Sequence, residues 1–199
     1  MNRRNPHRNR SICFNSALVQ EFFRTSPTLL RKMRRPGQVE RTLERIKSWR
    51  EQVPNLTIRS TFIVGFPGET NAEFEELLQW LDVAQLDRVG CFKYSPVDGA
   101  TANALPGAVA PEVMDERYAR FMEKAATISE ARMVAKVGRE ITVLVDSVDG
   151  SKALARTPGD APEIDGVVNV KKAKDLKPGE FARVKITTAG TYDLAAEPI

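Results

Sequence analysis

Cysteine and histidine are scarce in this chain, and their scarcity removes several kinds of chemistry at once. The 199 residues hold two cysteines and one histidine. Cys13 and Cys91 stand 78 positions apart. That separation matches no metal-binding or redox spacing, and two thiols are too few for a disulfide framework, so a reducing compartment is expected. The sole histidine, His7, has no partner ligand, and the sequence assigns neither a metal-ligand set nor a catalytic residue. Long apolar runs are missing as well. None nears the roughly 20 residues that span a bilayer. The apolar stretch from Ser16 to Phe23 is broken by Gln20 and Glu21 and is too short for the core of a secretory signal. A cytoplasmic protein with no membrane partner is expected, although the Arg-rich, acid-poor start also has the composition of an organellar transit peptide.

What is present is an ordinary globular composition, 42% hydrophobic and 28% charged, in a length that suffices for one or two domains with a buried core. The net charge of +4 conceals an uneven distribution. Residues 1–50 carry 13 Lys/Arg against three Asp/Glu, while the remainder carries 17 against 23. A basic first quarter fits either nucleic-acid contact or a solvated arm. No aromatic-interleaved patch accompanies the arginines, which favours the arm. Residues 1–25, with Arg3, Arg4, Arg8 and Arg10 and no sustained apolar period, read as a disordered or non-homologous tail.

From Ser26 the pattern becomes that of a folded chain. Ser26-Pro27 caps a short helix through Leu29, Leu30 and Met33 that Pro36-Gly37 ends. Val39, Leu43, Ile46, Trp49 and Val53 recur at spacings of three and four, the mark of an amphipathic helix. Leu56 to Val64 is β-branched and ends continuously apolar, as a strand buried on both faces does. Thr70 with Glu73 forms a capping box ahead of a helix whose inner stripe is Phe74, Leu77, Leu78 and Leu81. A second strand is expected over Arg88 to Tyr94, and helix–strand alternation of this kind builds a parallel sheet. After an Ala/Gly/Pro-rich loop over Ser95 to Pro111, a long helix is expected with Val113, Tyr118, Phe121, Met122, Ala125, Ile128 and Met133 inward, closed by Gly138. Beyond it five short strand-like runs at hairpin spacing predict a small β-barrel: Ile141 to Val145, Ala153 to Arg156, Val167 to Val170, Phe181 to Thr187 and Tyr192 to Ala196. The expected division is a tail over 1–25, an α/β unit over 26–137 and a β unit over 138–199.

The most informative stretch is Thr61-Phe-Ile-Val-Gly-Phe-Pro-Gly-Glu-Thr70, at the carboxyl end of a predicted parallel strand just before a helix. Ligands bind at that edge in α/β barrels and doubly wound sheets. Gly65 and Gly68 let backbone approach a flat ligand, and Phe66 packs on an adenine or on the barrel itself; a strand-to-helix turn that needs glycines for geometry alone fits equally well. Ile63-x-Gly65-Phe-Pro-Gly-Glu69 resembles the fifth-strand motif of radical S-adenosylmethionine barrels in the form used by methylthiotransferases. Arg34-Arg-Pro-Gly37 and Leu105-Pro-Gly107 fit the same family. Arg59-Ser-Thr-Phe-Ile-Val64 and Asp87-Arg-Val-Gly-Cys-Phe-Lys-Tyr-Ser-Pro-Val-Asp-Gly-Ala100 are similar to its RimO branch, and Ala161-Pro-Glu-Ile-Asp-Gly166 resembles a segment of the TRAM domain that ends these enzymes.

The resemblance implies an incomplete TIM-like radical barrel followed by a five-stranded, OB-like TRAM barrel. It implies S-adenosylmethionine and [4Fe-4S] clusters as the intact family's cofactors, with Gly65, Phe66, Pro67, Gly68, Glu69 and Tyr94 on the adenosine side. It implies methylthiolation of an aspartate in the twelfth small-subunit ribosomal protein, with that protein, and rRNA through the TRAM domain, as partners. The family's Cys-x3-Cys-x2-Cys motif, whose three thiolates leave one iron open for the methionine moiety, is absent here. The chain is therefore expected to bind no cluster and to be inactive alone, as a truncated or frame-shifted product. The alternative is a non-catalytic TRAM-type module that binds ribosomal protein or RNA. Two clusters of charge have plainer readings: Glu69, Glu73, Glu75 and Glu76 as acids stabilising a helix start, and Lys171, Lys172, Lys174 and Lys177 as a solvated loop or a partner contact. Cys91 is expected to be a small buried apolar group.

Overall fold

The computed structural model describes residues 39–199. The expected tail, the short helix from Ser26, Cys13 and His7 lie outside the described residues. The first helix, α1 (Val39–Gln52), leads to strand β1 (Arg59–Val64), helix α2 (Asn71–Ala84) and strand β2 (Arg88–Lys93). A short 3-10 turn (Thr101–Ala104) and a long helix, α3 (Pro111–Val134), follow. Five strands complete the chain: β3 (Glu140–Asp149), β4 (Lys152–Arg156), β5 (Val168–Lys171), β6 (Phe181–Ala189) and β7 (Leu194–Pro198).

Strands β1 and β2 pair in parallel, Arg59 beside Arg88 through Val64 beside Lys93. The first strand begins three residues later than the apolar run suggests. Asp87 is the reason: its carboxylate accepts from the Ile58 N–H at 2.9 Å, and the Asp87 and Arg88 N–H groups both donate to the Ile58 carbonyl. Ile58 and Leu56 are nevertheless buried in the first core with Ile46, Phe62, Phe74, Leu77, Leu81 and Phe121. The capping box at Thr70 forms as expected, the Thr70 hydroxyl accepting from the Glu73 N–H and the Glu73 carboxylate accepting from the Thr70 N–H. At the other end of α2, Gln85 takes a left-handed backbone and the Arg50 guanidinium of α1 donates to the Ala84 and Gln85 carbonyls at 2.8 and 2.5 Å, satisfying groups that a helix end leaves open.

Helix α3 has proline at its start and ends at Val134, ahead of Gly138; tight turns from Lys136 to the Met133 carbonyl and from Val137 to the Val134 carbonyl carry the chain onward. Phe121, Ala125 and Ile128 enter the first core, while Met133 is wholly buried in the second. Tyr118, expected inward, is partly exposed, and Arg117 and Ser129 take buried positions instead. One helix thus serves two cores.

The second core lies inside a closed barrel of strand order β3-β4-β5-β7-β6. Alternating Val143 and Val145, Ala153 and Ala155, Val168 and Val170, Val184 and Ile186, and Leu194 and Ala196 point inward, the period-2 pattern of a filled small barrel. All neighbours are antiparallel except β5 and β7, which are parallel because β7 inserts between β5 and β6. Register shifts at Val145/Ser147 and Ile186/Thr188 give β3 and β6 the extra bend that closure of so few strands requires. The incomplete α/β unit and the five-stranded barrel match the fold expected from the sequence. Among the described residues no helix is long and apolar enough to cross a membrane.

Candidate functional site

The carboxyl ends of β1 and β2 lie side by side, and the loop Gly65–Glu69 leaves there. Gly65 and Gly68 have φ of 76° and 81°, a region that a side chain makes costly. A Cβ on Gly65 would stand 2.2 Å from Met114 Cγ, so α3 sits directly on this glycine. A Cβ on Gly107 would come within 3.0 Å of the Gly68 Cα, and the Gly68 N–H donates to the Gly107 carbonyl at 2.6 Å. Leu105-Pro-Gly107 therefore closes over the loop, joining two motifs that stand far apart in the sequence.

Glu69 anchors the loop from within. Its carboxylate accepts from the Gly65 N–H at 2.5 Å and from Arg117 Nη1 at 2.9 Å, and the Glu69 and Arg117 side chains are 3% and 5% exposed. Arg117 also donates to the Glu69 carbonyl and to Asn71 Oδ1, which ties α3 to the start of α2. Phe66 is buried, with its ring 5.3 Å from that of Tyr94 in an edge-to-face arrangement. The Tyr94 N–H donates to the Val64 carbonyl and its hydroxyl donates to Asn103 Oδ1 at 2.9 Å.

The six residues singled out from the sequence are thus brought together, but they do not present equal surfaces. Gly65, Phe66, Pro67 and Glu69 are buried by the chain itself, and Gly68 and Tyr94 are half-buried at the edge. Beside them the register sets Ile63 opposite Phe92 on one face of the two-stranded sheet, and Phe92 is 62% exposed. Of the acidic cluster, Glu73 serves the capping box and Glu75 pairs with Arg120, as acids near a helix start do. Glu69 stands apart from them through its buried partner. Apolar patterning alone misses Arg117, although its place four residues after Val113 and four before Phe121 sets it on the inward stripe of α3; a basic side chain on that face is the signal that could have found it.

A cluster-binding site does not fit these residues. Cys91 is buried in β2 with the Phe92 carbonyl as its polar neighbour, as expected for a small apolar group, and no group of three or more His, Cys, Asp or Glu among the described residues is placed to hold a metal ion. Two cysteines in the whole chain cannot provide three thiolates.

A second polar assembly joins the two cores. Arg88 donates to Asp160 Oδ1 through Nε and Nη2, and Arg59 Nη2 lies 2.6 and 2.8 Å from the Asp165 carboxylate oxygens. These reach across 72 and 106 positions from the parallel sheet to the loop between β4 and β5. Asp87 joins the network, accepting from Arg132 Nε at 2.5 Å and lying 3.6 Å from Arg50. Burial and the nearby Arg132 charge hold the Arg50 guanidinium below its ordinary pKa despite Asp87.

Comparison with known proteins agrees with this geometry. The family model described as the TRAM domain matches residues 137–199, the β-barrel, and that of the radical SAM superfamily matches residues 19–81. The protein named ribosomal protein uS12 methylthiotransferase RimO in Cellvibrio japonicus is 61% identical over 173 residues, which is 87% of this chain and 38% of that relative. The proteins of the same name in Azoarcus sp. and Thiobacillus denitrificans are 58% and 59% identical over 178 residues, 89% of this chain and 40% of theirs. The chain belongs to the RimO-type methylthiotransferase family. It spans about two fifths of the length of these relatives. Within the RimO-type sequence, the glycine-rich loop and the TRAM barrel are both present, and α3 connects them.

Proposed function

We propose that this chain serves methylthiolation of ribosomal protein uS12, the reaction in its relatives' name, by supplying the adenosine side of an S-adenosylmethionine site and a TRAM barrel that contacts the substrate or its rRNA in the cytoplasm. The observation that carries this reading is the loop Gly65–Glu69, fixed by Glu69 and Arg117 at the carboxyl edge of two parallel strands, in a chain 61% identical to a RimO protein. S-adenosylmethionine supplies the methyl group and the radical precursor in this chemistry. The chain's own residues bind and orient: the Tyr94 ring and the Gly68 backbone offer a half-buried edge for a nucleoside, and Ile63 and Phe92 offer an apolar wall beside it.

The cluster is absent from this scheme, because its ligands are absent. Alone, the chain is expected to bind S-adenosylmethionine weakly and not to cleave it. Anaerobic reconstitution with iron and sulfide, followed by reduction in the presence of S-adenosylmethionine, tests both halves. The expected outcome is no stoichiometric iron and no 5′-deoxyadenosine, with equilibrium binding of S-adenosylmethionine that Tyr94→Ala weakens. About four irons per chain with cofactor cleavage overturns the claim of inactivity. Binding unaffected by Tyr94→Ala overturns the assignment of the edge.

A non-catalytic TRAM-type module is a second reading, favoured by the barrel's closed strand order and separate core. Lys171, Lys174 and Lys177 are exposed beside it, while Lys172 is engaged by Glu197 at 2.7 Å. Capture of uS12 compared with capture of a structured RNA separates the readings, since the module requires retention of one of them by the cofactor-free chain.

A further inference from the structure

At the junction of the two cores lies a cavity of about 560 Å³, bordered by Arg132, Lys136 and Arg139 from the end of α3 and its following turn, by Gln85, and by Thr142 and Thr157 of the barrel. Its charge balance is unequal. Of the acids that border it, Asp87 is held by Arg132 at 2.5 Å and Glu140 is held by Arg183 at 2.6 Å. Arg139 meets the amide oxygen of Asn55 at 3.2 Å, and the polar neighbour of Lys136 Nζ is the Met133 thioether at 3.8 Å. Two cations therefore face the cavity with weak neutral acceptors, where a charged oxygen would bind each more strongly.

We propose that this junction cavity binds a phosphate group, with Lys136 and Arg139 as its charged ligands and the Thr142 hydroxyl as a further donor, the Thr157 hydroxyl being engaged by Asp160. A tetrahedral oxyanion can accept from donors on several sides at once, and these donors come from the turn after α3 on one side and from β3 on the other. The environment of Lys136 suits an anionic partner: burial first, then the nearby Arg88 and Arg132 charges, lower its pKa below the ordinary lysine value, while Asp160 and Asp87 oppose the shift. The site is separate from the Gly65–Glu69 loop and does not depend on the proposed methylthiolation.

The test titrates the intact chain with inorganic phosphate at constant ionic strength, following backbone amide signals by NMR and the midpoint of thermal unfolding. Saturable shifts centred on 136–142 and 157–159, with a midpoint raised by a few degrees at about tenfold excess over Kd, are expected. Lys136→Gln with Arg139→Gln should lower phosphate affinity at least about tenfold, and Lys136→Arg should keep most of it. If the double variant does not fold, the titration of the unaltered chain and of Lys136→Arg still decides. No saturable shift at these amides, an equal response to acetate, or undiminished affinity in a folded double variant overturns the site. A short RNA duplex that displaces phosphate from these amides identifies a polynucleotide backbone as the source; phosphate binding without that displacement identifies a small phosphate compound.

Discussion

Glycine at position 65 and a buried acid four residues later show how single residues set this loop. Gly65→Ala must adopt φ near 76° and displace Met114, so it should cost roughly 2–4 kcal/mol, of which about 1 belongs to the backbone and the rest to forced repacking. Gly99, with φ of 78° and nothing within 4 Å of where a Cβ would stand, is the control: Gly99→Ala should lose about 1 kcal/mol. Urea unfolding of both variants checks the difference. Arg117→Met leaves the Glu69 carboxylate buried without its cation and should cost roughly 3–5 kcal/mol, part of which Glu69→Gln in the same chain should restore. Lys136 gives a pH signature. Its folded-state pKa lies below the unfolded value of 10.5, so the unfolded chain holds the extra proton between the two, and stability should rise with pH through that window. Lys93 acts in the opposite sense, since Asp115 raises its pKa and that contribution is lost as pH climbs past it. Comparing urea unfolding of the unaltered chain with Lys136→Met at about pH 8 and about pH 10 isolates the lysine: the rise should be smaller in the variant.

At the scale of elements, periodicity is a good guide wherever burial is one-sided. The stripe Phe74, Leu77, Leu78 and Leu81 and the capping box both form as their spacing implies, and Thr70→Ala should remove about 1 kcal/mol, measurable as a lower unfolding midpoint. Strand limits are legible only where side-chain pattern and hydrogen bonding coincide. Leu56 and Ile58 are as buried as strand residues, but the backbone of Ile58 is taken by Asp87, a competition that apolar patterning does not register. The ends of β3 and β6 run past their expected apolar cores to Asp149 and Ala189, because a bulged strand continues its ladder through residues whose inside–outside alternation has slipped. Parallel pairing of β5 with β7 has no signal in the hairpin spacing, which describes neighbours along the chain and not an inserted strand.

For the whole molecule, the two cores differ in kind: one is closed on itself in a barrel, and the other is built on a two-stranded parallel sheet among the described residues. Hydrogen exchange should therefore show the β3–β7 amides more strongly protected than those of β1 and β2; equal, strong protection in a monomer would refute this ordering. Arg88–Asp160 and Arg59–Asp165 hold the units together, so Asp160→Asn with Asp165→Asn should separate their unfolding into two transitions by calorimetry. The sequence by itself determined the α/β unit, the following β-barrel, the family motifs and the lack of cluster thiolates, because each depends on local spacing, turn chemistry or residue count. Tertiary structure alone decided that Glu69 and Arg117 face one another in a dry interior, that Met114 occupies the space which Gly65 leaves and Gly68 the space which Gly107 leaves, and that Lys136 and Arg139 flank a cavity between two cores. Glu69 and Arg117 stand 48 positions apart, and charge and size at such a separation become complementary only once the chain has packed.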